Sequence, residues 1–330
     1  MIFLSAADTE RLVDWPAAVD AVHSAYAADL KPSMVPRRTI AQDGGTWLRC
    51  MPAISPSGRY MGTKQIARTR TGCVTYVITL FDLEDASLAF VIDGLEITRT
   101  RTAATTVAAM RALGGAPEMH LAVIGSGLEA QTHFAALAST RAIGSAAVFS
   151  PNPANRDLFA KKAQEKFGID VRTANSAQDA VDGATHVVAA ARSRDESPIL
   201  FASWLSPGVM VASIGSTIRS QRELDVSVVD DAGIIVADEP DELAAETGDM
   251  IAAQAAGISF ADKLYSLHQL ARGEIPAAVL SSSSLTLFKS VGTALQDLVF
   301  SELVVERARR AGIGTTLPVS LLEKSTLRGR

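Results

Sequence analysis

Gly125-Ser126-Gly127-Leu128-Glu129-Ala130 is the stretch of this 330-residue chain whose chemistry is most definite. It follows the short apolar run HLAVIG (120–125) and opens an Ala-rich segment, so it reads as a turn between a buried strand and a helix. Such a turn lets the backbone come close to a pyrophosphate, whose charge then rests on amides at the helix N-terminus. Gly125 would make the tight turn, Gly127 the close approach, and Ala130 the contact between helix and strand. Alone, G-x-G-x-x-A is a weak pattern with an ordinary βα turn as its bland alternative; the strand–turn–helix context favours a dinucleotide. An NAD site places an acid about 20 residues further on, to hold the ribose 2′-OH. Here the chain reads Phe149-Ser150-Pro151-Asn152-Pro153-Ala154-Asn155-Arg156, with no acid before Asp157. The hydroxyl of Ser150, the amide of Asn152 and the guanidinium of Arg156 suit a 2′-phosphate, so NADP(H) is favoured. NAD(H) is possible if this loop is a plain turn.

Cations gather in the first third of the chain: Arg37, Arg38, Arg49, Arg59, Lys64, Arg68, Arg70, Arg99 and Arg101. A lone Arg or Lys is usually solvated surface. Arg49 and Lys64, however, sit in strand-like stretches with apolar or small neighbours, and Arg101 opens a helix of Ala, Thr, Val and Met. Cations so held could grip a carboxylate, Arg as a bidentate fork and Lys as a point charge. Asp225 ends ASIGSTIRSQRELD (212–225), after a strand and at the carboxyl edge of a sheet, where ligands of open α/β sheets bind. Its carboxylate could give or take a proton, or merely cap the helix that follows. His120 and His133 read as packing or surface residues, and no H-x-E or H-E-x-x-H spacing calls for a metal.

Placing these groups takes two kinds of scaffold. From Asp8 to Leu30 the apolar residues recur at near-helical spacing, with Pro16 at an early helical position. RRTIAQ, TWLRCMP, YMGTKQIA and VTYVITLFD then form short strands separated by turn residues, a mixed or antiparallel sheet. TRTRTAATTVAAMRAL (98–113) is a helix stopped by GGAP. Beyond it, apolar runs alternate with helices: HLAVIG, AAVFS, DVRTA, THVVAAA (185–191), VMVASIG and GIIVAD are strands of a parallel sheet covered on both faces. Residues 287–312 read as one long helix that packs back on the first domain. The fold class is α/β, a doubly wound Rossmann sheet (116–299) beside a smaller α+β domain (1–115, joined by the C-terminal helix of 300–330). Hydrophobic residues at 48% and charged ones at 20% are ordinary globular composition, and the length suits two domains. A net charge of −5 lacks the field that draws a protein onto nucleic acid or anionic lipid, and every apolar stretch is too short for a membrane span. Cys50 and Cys73 form no disulfide framework, and MIFLSAADTERLVDW lacks a basic n-region, so a reducing, cytoplasmic setting is expected.

RRT (37–39), MPA (51–53), GTKQ (62–65), DGLEITRTRTAA (93–104) and VIGSGLEAQTH (123–133) are followed by LSPGVMVASIGS (205–216), RELD (222–225), ETGDM (246–250), ARGEI (271–275) and LFKSVGTALQD (287–297). In this order and spacing the chain resembles the ornithine cyclodeaminase/μ-crystallin family of NAD(P)-dependent proteins. The resemblance implies a homodimer in which the first domain binds a small amino or imino acid and a Rossmann domain binds the cofactor. Matched position by position, Arg38, Lys64 and Arg101 are the cations for the substrate carboxylate, and the catalytic residues are Asp225, the acid/base, and Lys64. Thr102, Ala190, Ala191 and Val291 are cofactor contacts, with the glycine turn and the loop at 150–156. The implied chemistry is hydride transfer between nicotinamide C4 and the substrate α-carbon. One position departs: in WLRCMPA the chain carries Arg49 where cyclodeaminases carry a glutamate. An arginine there repels the second ammonium of ornithine if it faces the pocket, and the alanine dehydrogenase branch is similar in having one near this point. The reading is therefore an imine/ketimine reductase or amino-acid dehydrogenase. The alternatives are a true ornithine cyclodeaminase and a non-catalytic, NADPH-loaded binding protein.

Overall fold

A computed structural model of the chain describes residues 1–191, 195, 197–282, 284–319 and 321. Two compact units emerge, one of Met1–Ala21, Ala28–Arg101 and Thr293–Arg330, the other of Val22–Ala27 and Thr102–Gly292. The division falls between Arg101 and Thr102, whereas the sequence places it after residue 115. The reason is that GGAP stops a helix rather than a domain: the helix runs on unbroken through the change of unit.

The first unit opens with β1 (Ile2–Leu4), α1 (Ala6–Leu12) and α2 (Trp15–Ala27). The single helical stretch read from Asp8 to Leu30 is thus two helices. Ser5 and Asp8 form a capping box at the start of α1, Val13 is extended, and Asp14 Oδ1 accepts from Ala17 N–H (3.0 Å) to begin α2. An antiparallel meander follows: β2 (Thr39–Asp43), β3 (Thr46–Ile54), β4 (Tyr60–Arg68), β5 (Val74–Asp82) and β6 (Leu88–Asp93). Met51, Lys64, Ile78 and Ile92 lie opposite one another in register and are all buried, so Lys64 stands in the apolar face of this sheet. The other face keeps Leu48 and Ile54 exposed. α3 (Gly94–Leu113) comes next and ends at Gly114 and Gly115, both with φ near +90° (83° and 98°), which favours glycine.

The second unit continues with β7 (Met119–Ile124), α4 (Leu128–Thr140), β8 (Ile143–Phe149), α5 (Pro153–Phe167), β9 (Val171–Thr173), α6 (Ala177–Val181) and β10 (His186–Ala189). It then adds β11 (Val209–Ser213), α7 (Val226–Asp231), β12 (Ile234–Ala237), α8 (Pro240–Glu246) and α9 (Gly248–Ala255). β13 (Leu264–Ser266), α10 (Leu267–Ala271), α11 (Ala277–Ser282) and β14 (Leu285–Lys289) complete it. The eight strands lie in the order β13-β12-β14-β11-β10-β7-β8-β9, every pairing parallel. The chain winds outward one way through β8 and β9, returns to the other side of β7 as β10 and β11, places β12 and β13 at the far edge, and comes back as β14 between β11 and β12. That is the doubly wound sheet, and its order reverses between β7 and β10.

Residues 287–291 are not helical, contrary to the sequence reading. Leu285, Leu287 and Phe288 are buried in a strand flanked by β11 and β12, where both faces are covered and a continuous apolar run is what a strand needs. Gly292 (φ 79°) turns the chain out of it. α12 (Ala294–Ala311) then belongs to the first unit and stops at Gly312 (φ 64°). β15 (Thr315–Thr316) pairs with β1, closing a seven-stranded sheet in the order β15-β1-β6-β5-β4-β3-β2. Residues 320 and 322–330, within the predicted C-terminal helix, lie outside the described residues. Among the described residues no helix is long and apolar enough to cross a membrane.

Candidate active site

In the second unit, β7 delivers Gly125 to the point where the sheet order reverses. Gly125 has φ 117°, its N–H donates to Phe149 O (2.7 Å), and a Cβ there would come within 2.6 Å of Ala190 O. Backbone strain and the β10 chain end both demand glycine. Gly127 is different. Its φ is −73° and nothing lies within 4 Å of an added Cβ, so the protein's own packing does not require glycine there. Gly127 is the N-cap of α4, and among the described residues no side chain caps that end. Helix amides that no described side chain caps, beside open space, fit a pyrophosphate. Ala130 is wholly buried, Leu128 and Glu129 lie in the first turn, and Ser126 Oγ donates to Ser150 Oγ (2.9 Å), tying the turn to the end of β8.

The residues expected to read the ribose lie together after β8, already engaged with the protein. Asn152 Oδ1 caps α5 by accepting from Ala154 N–H (3.0 Å). Arg156 donates to Ala174 O and lies 5.5 Å from the Phe149 ring centroid. Ala190 and Ala191 follow β10; Val291 follows β14, and its N–H donates to Asp238 Oδ1 (2.9 Å). Thr102 is buried in α3, its carbonyl accepting from Thr106 Oγ1 (3.2 Å). His133, fully buried, bonds Thr106 through Nε2 (3.0 Å).

Asp225 takes the capping role that the sequence left open. Its Oδ1 accepts from Ser227 N–H (3.0 Å) and Ser227 Oγ (2.7 Å) at the start of α7. Burial pushes this carboxyl up, but the Ser227 bonds, the Arg222 charge and the Val226 N–H together hold the group below its ordinary range. Two residues earlier, Glu223 is completely buried among the loops of the carboxyl edge and was not singled out from the sequence.

In the first unit the cations converge. Lys64 Nζ (1% exposed side chain) and Arg101 Nε approach one oxygen, Asp297 Oδ1, at 3.0 and 2.9 Å. Arg101 also donates to Gln296 Oε1, and Lys64 lies 5.4 Å from the Tyr76 ring centroid. Asp297, in the first turn of α12, is fully buried. It lies 233 positions from Lys64, a separation at which spacing carries no signal. Arg49 is opposite Ile66 on β4, two residues along from Lys64, so both side chains leave the same face of the sheet. Such diagonal neighbours are about 7–8 Å apart, within reach of long side chains. The Arg49 guanidinium lies 5.2 Å from the Trp47 ring centroid. Arg38 stands half-buried immediately before β2.

The profile of the ornithine cyclodeaminase/mu-crystallin family matches residues 1–312. Ketimine reductase mu-crystallin of Mus musculus is 30% identical over 282 residues, covering 83% of this chain and 85% of that protein. A Delta(1)-pyrroline-2-carboxylate reductase of Bacillus cereus is 25% identical, over 95% of this chain and 98% of that one. Among solved structures, Thermococcus litoralis Delta(1)-pyrroline-2-carboxylate reductase, in complex with NADH and L-proline, superposes with a TM-score of 0.86 at 27% identity, over 96% of this chain and 100% of that one.

Proposed function

The chain belongs to the ornithine cyclodeaminase/mu-crystallin family, and from that premise we propose that it is an NAD(P)H-dependent reductase of small α-imino acids, acting at the bond between the α-carbon and nitrogen. The observation that carries this reading is the glycine turn at the switch point: open space beside Gly127 and an uncapped α4 fit a dinucleotide. A reduced nicotinamide held there supplies the hydride. The protein's own part is to grip, orient and handle protons. Lys64 and Arg101 meet at one buried carboxylate, Asp297, which holds both cations where charge-assisted bonds to a substrate carboxylate would form. Asp225, ionised at neutral pH, can accept a proton from the substrate side but is poorly suited to donate one.

NADPH is the preferred cofactor in this proposal, because residues 149–156 carry no acid to pair with a ribose diol. Leu48, Ile54, Met61 and Phe81 share the outer face of the first unit's sheet, Leu48 at 44% and Ile54 at 38% exposure, and this supports a homodimer through that face. Sedimentation of the intact chain should show a dimer; a monomer at micromolar concentration would refute that assembly.

Arg49 separates the reductase from a cyclodeaminase. A guanidinium on the same sheet face as Lys64 repels the distal ammonium of ornithine and tolerates neutral or anionic side chains. The test is nicotinamide absorbance with cyclic and linear α-imino acids, keto acids plus ammonia or amines, and ornithine, each with NADPH and NADH. Reduction of a small imino acid should exceed ornithine turnover by a wide margin and run better on NADPH, and Arg49→Glu should shift preference toward diamino acids. Ornithine deamination at a comparable rate would restore the cyclodeaminase, and silence across the panel would favour a binding protein.

A further inference from the structure

Glu223 sits under the carboxyl edge of the second unit's sheet with both oxygens engaged. Oε1 accepts from Ala191 N–H (2.9 Å), in the chain leaving β10. Oε2 accepts from Ser213 Oγ (2.7 Å) and Gly215 N–H (3.0 Å), at the end of β11. The two chain ends are packed so closely that a Cβ on Gly215 would collide with both Ala191 O and Glu223 Oε1. Around this carboxylate lies a second buried layer. Lys289, at the end of β14, pairs with Asp249 of α9 (2.7 Å) and donates to Ser213 Oγ (2.9 Å) and Ser216 O (3.2 Å). Asp249 Oδ1 in turn accepts from the N–H groups of Glu223 (2.8 Å) and Leu224 (3.0 Å). None of these groups is used in the chemistry proposed above.

We propose that Glu223 is a positioning residue for the dinucleotide: its ionised carboxylate fixes the backbone leaving β10 and β11 in the shape that receives the cofactor, and its protonation loosens that edge. The inference rests on the dinucleotide reading of this edge. Its physical basis is a count of acceptors. An ionised carboxylate serves all three donors, whereas a protonated one carries a hydrogen on one oxygen and leaves a buried N–H or hydroxyl without an acceptor. Burial pushes the Glu223 carboxyl up to about 7, with Asp249 adding to the rise and Lys289, Ser213 and Ala191 opposing it. Lys289 and Asp249 are the charged groups that face it, from β14 and α9. The sign follows. The bound state favours the ionised form, so affinity for the dinucleotide falls as pH falls through neutrality.

The probe is NADH, which lacks the 2′-phosphate whose own titration near pH 6 would confuse the result. Fluorescence titration of the full chain should give a dissociation constant about tenfold weaker one unit below the midpoint than one unit above it. Glu223→Gln should bind more weakly at high pH and lose this pH dependence. Ser213→Ala removes a bond that favours the charged form, so it should move the midpoint to higher pH while the carboxylate remains. A flat wild-type profile, an unchanged profile in Glu223→Gln, or an unmoved midpoint in Ser213→Ala would overturn the inference; the last decides the matter if Glu223→Gln does not fold. If neither NADH nor NADPH binds at any pH, the dinucleotide reading itself fails. Amide hydrogen exchange in the unliganded chain then still judges Glu223: faster exchange at Ala191 and Gly215 in either variant supports its hold on that edge, and unchanged exchange refutes it.

Discussion

Asp297 holds Lys64 and Arg101 on a single buried oxygen, and this arrangement sets what a substrate would meet in the first unit. Charged donors held in place bind a carboxylate more strongly than a neutral group, so an incoming carboxylate is favoured at such a place. Lys64→Ala and Asp225→Asn, studied side by side, separate the two residue roles. Loss of Lys64 removes one partner of a desolvated pair, typically about 2–5 kcal/mol, and should raise the substrate KM steeply while NADPH affinity stays near wild type. Asn caps helices about as well as Asp, so Asp225→Asn should keep the thermal midpoint and cofactor affinity and lower kcat by roughly 10²–10⁴-fold if the carboxylate takes a proton. Unchanged KM in the first variant would remove the clamp, and unchanged kcat in the second would leave Asp225 a cap alone. At this scale the sequence is only partly legible. Lys64 and Arg101 stand out because cations are rare on apolar elements. Asp297 and Glu223 do not, because an acid within a matching segment looks solvated until partners more than 190 and 30 positions away are brought to it.

In the proposed reading, the turn from β7 into α4 is the element on which cofactor binding depends. Gly125 resists substitution through its φ of 117° and contact with Ala190, whereas at Gly127 a side chain would only fill space that is open in the protein itself. Gly127→Val adds a branched side chain where the protein itself offers no clash. It should therefore fold with a near-normal thermal midpoint and lose NADPH binding, read by fluorescence. Retained affinity would take the turn out of the site. Elements of this kind are the most legible part of the chain. The interior strands β10, β11 and β12 are buried throughout and, with most of β7, appear as nearly continuous apolar runs. β1, with three residues, is too short for any period to show, and β14 was hidden because Lys289 and Ser290 give its end a helix-like spacing with the segment beyond.

Over the whole molecule the labour is divided by unit: the first carries the cations that suit a carboxylate, the second the turn that suits a dinucleotide. The division was legible as a change of grammar, from short antiparallel strands to alternating strand and helix. Its position was not, because α3 continues through it and nothing in a helical period marks a change of neighbours. The account's central claim is that hydride passes to the α-carbon of an imino acid. The most direct measurement is the fate of label from nicotinamide C4. With NADPH deuterated at both C4 positions and a cyclic α-imino acid, mass spectrometry and NMR of the amino-acid product should place one deuterium on the α-carbon. Product that carries no deuterium at the α-carbon would contradict the claim.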